Sequence, residues 1–127
     1  SPAISYIECP AGFPISFNYS PTVTYLGGTT DPTSNTVNLA IWRCVYGELF
    51  VTIKSTLVRG TGNRTYVLWT LPGAISVTNI YPISGIDNTT AAGFTAAACY
   101  ATDTHIYVER AMTQNGIYYI NGSLVLS

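Results

Sequence analysis

The chain has 127 residues, and only 9% of them are Asp, Glu, Lys or Arg, giving a formal net charge of −1. Ordinary soluble domains carry about 25% charged residues. The five cations form no basic stripe of the kind that nucleic-acid binding requires. Disorder does not explain the low charge, because 47% of the residues are hydrophobic. The surface must therefore be rich in uncharged polar residues and Tyr, which favours contact with sugars or proteins.

The length predicts one domain, residues 1–127. No apolar stretch is as long as a membrane span. The opening residues show no signal peptide, which leaves a mature protein or an excised domain as alternatives. The spacing of Cys9, Cys44 and Cys99 fits no zinc site, and we expect three free, buried thiols. One disulfide with a leftover free thiol is the alternative.

Strand patterns begin in the N-terminal third and dominate the chain. Short strands are predicted at residues 4–8, 15–19 and 22–26. Residues 36–46 and 48–58 form a predicted hairpin around Tyr46-Gly47. In the second of these strands apolar residues alternate, so one face should be buried. That face contains Leu49, Val51, Ile53 and Leu57.

The second half of the chain continues the strand pattern. Strands are predicted at residues 65–71, 75–80, 94–102 and 105–110, and residues 82–93 are a predicted turn-rich connection. Asn121-Gly122 predicts a type I′ turn, because these residue types tolerate the two positive φ angles that it needs. Residues 117–126 are therefore a predicted two-residue hairpin. Pairing across that turn places Tyr118, Ile120 and Val125 on one face.

No apolar stretch keeps a helical period over three turns. Many short strands with regularly spaced turns predict an all-β fold, an antiparallel β-sandwich of Greek-key type with about eight to ten short strands; a closed barrel is the alternative. Several strands are apolar on both faces, which predicts that copies of the chain cover one another. The alternative is an unusually apolar outer face. The candidate subunit interface consists of Trp42, Tyr118, Ile120 and Val125.

The sequence shows no catalytic pattern, and we expect no enzyme. His105 is the only histidine, and no nucleophile-elbow or family cysteine motif accompanies it. The six acids are scattered without the pairing that glycoside cleavage needs. Phosphate-binding glycine loops and dense calcium-ligand patterns are absent from the sequence. We therefore expect neither a cofactor nor a metal.

Binding features remain in two places. The loop at residues 59–64 holds Arg59, Asn63 and Arg64, which are suited to contact an acidic sugar; a simple solvated loop is the alternative. Tyr25 precedes Gly27-Gly28 and is a candidate for stacking on a sugar ring. The candidate receptor-binding residues are therefore Tyr25, Arg59, Asn63 and Arg64.

The C-terminal half also carries a resemblance. It reads TYVLWTLP from Thr65, then AAACYATDTHIYVERA, and ends in GIYYINGSLVLS. This looks like the head domain at the tip of viral attachment fibres, both the compact fibre heads of some adenoviruses and the heads of phage receptor-binding proteins. The likeness covers about half the chain.

The resemblance implies a homotrimeric Greek-key sandwich at the distal end of a fibre, on the virion surface. Its function would be attachment to a host-cell receptor, either a protein or a carbohydrate, without nucleic acid and without membrane insertion. Such fibres fold inside the host cell before assembly, which fits reduced cysteines and unused sequons. The sequons stand at Asn18, Asn63, Asn88 and Asn121. No receptor-contact residue of the family matches a position here.

Two other classes of function stay open. A secreted or bacterial lectin-like adhesin on a β-sandwich would share the uncharged, Tyr-rich composition. A small hydrolase on the same fold would depend on His105. The mass of the protein in solution separates the fibre head from a monomeric adhesin, and the loss of activity in His105→Ala would identify the hydrolase.

Overall fold

The computed structural model describes residues 15–87, 92–93 and 98–126, and strands dominate these ranges. None of the described residues forms a helix that is long and apolar enough to span a membrane. The predicted strand at residues 4–8, the start of the one at 94–102, and Cys9 lie outside the described residues. The strands are β1 (Phe17–Asn18), β2 (Val23–Leu26), β3 (Ser34–Val45), β4 (Glu48–Val58), β5 (Tyr66–Thr70), β6 (Val77–Pro82), β7 (Ser84–Asp87), β8 (Ala92–Gly93), β9 (Ala98–Asp103), β10 (His105–Glu109) and β11 (Gly116–Val125).

The strands form two antiparallel sheets that enclose a common hydrophobic core. Sheet A has six strands in the order β1-β3-β4-β11-β7-β8, and sheet B has five in the order β2-β5-β10-β9-β6. Strands distant in sequence lie side by side, with β4 next to β11 and β5 next to β10. Such crossing connections are typical of Greek-key sandwiches. The predicted all-β antiparallel sandwich is confirmed, and the closed barrel is excluded.

The hairpin between β3 and β4 is also confirmed. Tyr46 and Gly47 have φ angles of 50° and 77°, and Val45 pairs directly with Glu48. Two positive φ angles in a two-residue loop are the signature of a type I′ turn, whose twist matches that of the flanking strands. The strand that follows has the predicted bounds.

The core lies between the sheets and follows the alternation of β4. Each of the four residues predicted to be buried there is at most 3% exposed. From sheet B, Trp69 is fully buried, as are Ile106 and Val108. Burial of each such side chain stabilises the fold by about 1.5–3 kcal/mol. Ser55, also fully buried, lies on the same face of β4 and donates its hydroxyl hydrogen to Oδ1 of Asn35.

The predicted C-terminal hairpin is wrong. Residues 116–125 form one continuous strand that pairs with β4 over its whole length, and Asn121 and Gly122 lie opposite Thr52 and Val51. Gly122 does not have a positive φ angle. A Cβ at Gly122 would lie 2.1 Å from Cδ1 of Ile83, so the glycine is needed for close packing. Local turn preference therefore yields to ten consecutive pairings with a long neighbouring strand.

This correction changes which residues face inward. In a continuous strand the alternation is unbroken, so Tyr118, Ile120 and Leu124 share the core face and are 4%, 1% and 1% exposed. The edge of the Tyr118 ring contacts Trp69, with 6.0 Å between centroids. Tyr118 and Ile120 are thus core residues, and their predicted place in a subunit interface is wrong. Val125 lies on the opposite face and is 57% exposed.

Trp42 is also turned toward the core. A bulge between Val37 and Leu39 shifts the register of β3, so that Trp42 pairs with the buried Val51. Its ring packs against the core and against Phe17, with 5.1 Å between centroids. Trp42 is partly buried by these contacts, and its predicted place in a subunit interface stays a prediction.

One predicted connection contains strand structure. Residues 84–87 form β7, which pairs with β11 from Asn121 to Tyr118. The sequence of this stretch is rich in turn residues, and its pairing with β11 on one side and β8 on the other makes a strand of it. Cys44 and Cys99 carry free thiols, as predicted, although Cys44 is exposed rather than buried.

Candidate functional site

The loop residues predicted to bind a receptor meet at one end of the sandwich. Oδ1 of Asn63 accepts hydrogen bonds from the backbone N–H groups of Thr29 and Thr30 at 2.9 and 2.7 Å. Nε of Arg64 donates to Asp31 at 2.7 Å, and Nη1 donates to the carbonyl of Gly27 at 3.0 Å. These contacts brace the β2–β3 loop against the β4–β5 loop.

Arg59 and Tyr25 lie near the same end. Nε of Arg59 donates to the carbonyl of Gly62 at 2.8 Å, and Nη1 donates to that of Thr113 at 3.2 Å. Tyr25 packs against the core. Burial raises the pKa of Tyr25; a hydrogen bond with Asn35 lowers it in part, and the negative charge of Asp31 raises it. The structure therefore brings the four predicted residues to one end and uses each within the fold, while their contact with a receptor stays a prediction.

A shallow groove crosses the outer face of sheet A, and we call it the sheet A groove. It has a volume of about 330 Å³. Arg43, Phe50 and Ser123 form one cross-strand row of this face, and Thr52 and Asn121 belong to the next row. The lining residues are Arg43, Phe50, Val51, Thr52, Ser84, Asn121, Gly122 and Ser123.

A second depression of about 210 Å³ adjoins the groove beside β7. It shares Ser84 and Asn121 with the groove and adds Ile86 and Tyr119. Together the two depressions run across β3, β4, β11 and β7, a width of three strand spacings, or about 14 Å. A site of this shape suits an extended ligand better than a compact one.

Arg43 is the main charged group of the groove. Its guanidinium carbon lies 4.6 Å from the centroid of the Phe50 ring. A guanidinium stacked on an aromatic face keeps its N–H donors free at the edges of its plane. Arg64 and Asp31 form an ion pair, whereas Arg43 has no carboxylate partner among the described residues.

The outer face of sheet B has a different character, and we call it the tyrosine face. Tyr100 and Tyr107 stack with 5.1 Å between centroids and 9° between planes, and His105 lies 6.0 Å from Tyr107. Tyr66 and Leu68 continue the face on the neighbouring strand β5. Leu68 is only 5% exposed although it points away from the core. The tyrosine face therefore combines these aromatic and aliphatic side chains with polar ones, namely Thr24, Thr70, Thr102, His105 and Glu109.

The single acid among these side chains is Glu109. Desolvation raises the pKa of Tyr66, and the charge of Glu109 and a hydrogen bond to its carboxylate raise it further. Desolvation also raises the pKa of Tyr100, with smaller contributions from Tyr66, Glu109 and Tyr107. The phenols are thus held neutral in a weakly negative environment.

The described residues show no arrangement for catalysis. Nδ1 of His105 and the hydroxyl oxygen of the adjacent Thr104 lie 2.9 Å apart and form a hydrogen bond. The His105 ring lies against Tyr107 rather than beside a cysteine or a carboxylate. Burial raises the pKa of the Cys99 thiol to about 12, which suppresses the thiolate that a cysteine nucleophile needs. Over residues 15–87, 92–93 and 98–126 no three His, Cys, Asp or Glu side chains are placed to hold a metal ion.

Sequence reasoning missed the sheet A groove. The alternation of β4 places Phe50 and Thr52 on the outer face, but local preference places Asn121 in a turn and Ser84 in a loop. Their approach depends on the register between β4, β11 and β7. In comparisons with known proteins, no family model, no curated protein and no solved structure matches this chain.

Proposed function

We propose that this chain is the head domain of a viral attachment fibre, which binds a host-cell receptor as a homotrimer on the virion surface. The resemblance of the C-terminal half supports this proposal, and the Greek-key sandwich fits it. The observation that carries it is the tyrosine face, where the stacked Tyr100 and Tyr107 and the half-exposed edge residue Leu26 offer apolar surface to a partner. In the proposed trimer a neighbouring copy of the chain covers this face.

The size of the tyrosine face bears on the interface. Five strands about 4.8 Å apart and about five residues long give a face on the order of 400 Å². A stable interface buries about 800 Å² on each partner. The interface must therefore take in the whole face, including Leu26 and Ile80 at its edge strands, which are 50% and 69% exposed, and must extend beyond it onto adjoining loops.

The test of the trimer is the mass in solution. Sedimentation equilibrium at micromolar concentration should give three times the chain mass of 13.7 kDa. Tyr107→Asp should yield monomers, because an unpaired carboxylate buried between subunits costs several kcal/mol. A monomeric wild-type protein would contradict the proposal.

The control for Tyr107→Asp is the same substitution at an exposed position on sheet A. Val125, an exposed residue that the sequence predicted in the interface, provides this position. Val125→Asp should keep the trimer if the tyrosine face forms the interface. If Val125→Asp loses the trimer and Tyr107→Asp keeps it, the interface lies on sheet A, as the sequence predicted. Receptor attachment is tested separately, as saturable binding of labelled protein to cells that the unlabelled protein competes away.

A lectin-like adhesin is the second candidate. The observation in its favour is that the sheet A groove is formed entirely by one chain and is lined by hydroxyl, amide and aromatic groups. A monomer in solution that binds a glycan would support the adhesin over the fibre head.

A further inference from the structure

The sheet A groove combines three kinds of chemistry that sugars use. Arg43 supplies a cation, Phe50 an apolar ring, and Thr52, Ser84 and Ser123 hydroxyl groups. Sugars present hydroxyl groups at their edges and apolar C–H groups on their faces. The groove therefore has a complementary group for each part of a sugar ring.

The guanidinium of Arg43 is oriented before any ligand arrives. The Phe50 ring supports it from one side at 4.6 Å, which restricts its rotamers. The planar group then offers two parallel N–H donors, the geometry that a carboxylate accepts in a bidentate pair. Restricting the group in advance lowers the entropy cost of binding.

The amide of Asn121 is oriented as well. The hydroxyl of Thr52 donates to Oδ1 of Asn121 at 2.5 Å. With Oδ1 accepting from Thr52, Nδ2 of the same amide is a donor directed away from Thr52. In the described part of the chain Nδ2 of Asn121 has no hydrogen-bond partner, and it can therefore donate to a ligand.

Charge separates the two outer faces. The outer face of sheet A carries two cations, Arg43 and Lys54, and one acid, Glu48. Glu48 lies one cross-strand row from Phe50 along β4, and it forms no ion pair with Arg43. On the tyrosine face the charged group is Glu109. An acidic ligand is therefore attracted to the outer face of sheet A and disfavoured on sheet B.

We propose that the sheet A groove binds a glycan that carries a carboxylate, with Arg43 pairing with the carboxylate and Phe50 contacting the C–H face of the sugar. This inference rests on the proposed attachment function and names the class of receptor. Sialic acids and uronic acids share this chemistry. Asn121, Ser84 and Tyr119 would contact the sugar units that follow the acidic one.

The test is calorimetric titration of the intact chain with three probes: sialyllactose, a disaccharide ending in glucuronic acid, and lactose. The protein is produced in bacteria, because Asn121 stands in a sequon and an attached glycan would fill the groove. At least one acidic probe should bind, and lactose should bind at least about tenfold more weakly, since hydrogen bonds to charged groups are the strong ones. The acidic probe that binds identifies the source of the carboxylate.

Arg43→Gln should weaken binding of that probe at least about tenfold. Lys54→Gln removes the same charge from the same face but lies outside the lining residues, so it should change the affinity by less than about threefold. Arg43→Lys keeps the charge without the bidentate geometry and should fall between them. Unchanged melting temperatures would show that the variants are folded.

Three results would overturn the inference: no binding of either acidic probe, equal binding of lactose, or equal losses in Arg43→Gln and Lys54→Gln. None of these results alters the mass in solution or the attachment to cells. Failure of the glycan inference is therefore distinguishable from failure of the proposed function.

Discussion

Gly122 provides a direct test of the continuous strand β11. In Gly122→Ala the new methyl group would lie 2.1 Å from Cδ1 and 3.1 Å from Cγ2 of Ile83, which is 7% exposed. Overpacking a core of this kind costs about 1–3 kcal/mol. Removal of glycine from a strand returns about 0.5–1 kcal/mol. The net loss of stability should therefore lie between about 0 and 2.5 kcal/mol, with a midpoint of about 1.25 kcal/mol.

This loss of stability corresponds to a decrease in the melting temperature. Globular proteins unfold with an entropy of about 2.1 cal/mol/K per residue, or about 0.27 kcal/mol/K for a chain of this length. Gly122→Ala should therefore lower the melting temperature by about 5 °C at the midpoint of this range and by no more than about 9 °C. Thermal unfolding followed by circular dichroism measures this shift.

A double-mutant cycle shows whether the cause is the contact with Ile83. Ile83→Ala alone should destabilise by about 2–4 kcal/mol, because it leaves a cavity. In the double variant the methyl group introduced by Gly122→Ala enters that cavity, so the combined loss should fall short of the sum by at least about 1 kcal/mol. Additive losses would refute the reasoning, since a type I′ turn at Asn121-Gly122 would make Gly122→Ala costly without reference to Ile83.

Four further predictions concern the core, the thiols and the loops. Ser55→Ala should destabilise by about 1–3 kcal/mol in urea unfolding, because it removes the donor to the partly buried amide of Asn35. Iodoacetamide at about pH 8, just below the usual pKa of a free thiol, should modify exposed Cys44 well before Cys99, as peptide mass spectrometry would show. Because folding raises the pKa of Cys99 from 9.0 to about 12, its contribution to stability should be complete below pH 9 and should decline as the pH rises toward 12. Asn63→Ala should speed amide hydrogen exchange in the β2–β3 loop, whose two N–H groups lose their shared acceptor.

Local sequence patterns were sufficient to predict the structure where the interacting residues are close in sequence. The β3–β4 hairpin needs only a turn that accepts positive φ at Tyr46 and Gly47, and β4 needs only its own alternation. Both signals act over a few residues, and no distant partner competes with them. The bounds of β4 and its buried face were therefore predictable.

Asn121-Gly122 shows the limit of the same reasoning. Its turn preference is as strong as that of Tyr46-Gly47, but β4 offers ten pairings in a row to an extended chain. A glycine inside a strand often marks a close approach by another group, and here Ile83 makes that approach. The identity of the approaching residue depends on the fold and is not contained in the local pattern.

The sheet A groove was unpredictable for a related reason. Arg43 and Phe50 belong to one hairpin, so their proximity follows from the turn at Gly47. Asn121 and Ser84 reach the groove only through the pairing of β11 with β4 and β7. Nothing in the turn-rich sequence around Ser84 indicates that it extends the outer face of this sheet.

The burial of Tyr118, Ile120 and Trp42 also changes the argument for a trimer. Tyr118 and Ile120 are covered within one chain and Trp42 is partly covered, so the apolar character of both faces of a strand does not require a second copy at Tyr118 and Ile120. The surface that remains for the proposed interface is the tyrosine face with the exposed edge residues Leu26 and Ile80. If copies associate through sheet B, sheet A with its oriented Arg43 faces outward on every subunit. A trimer would then present three equivalent grooves, and multivalent attachment would compensate for the weak affinity of each single site.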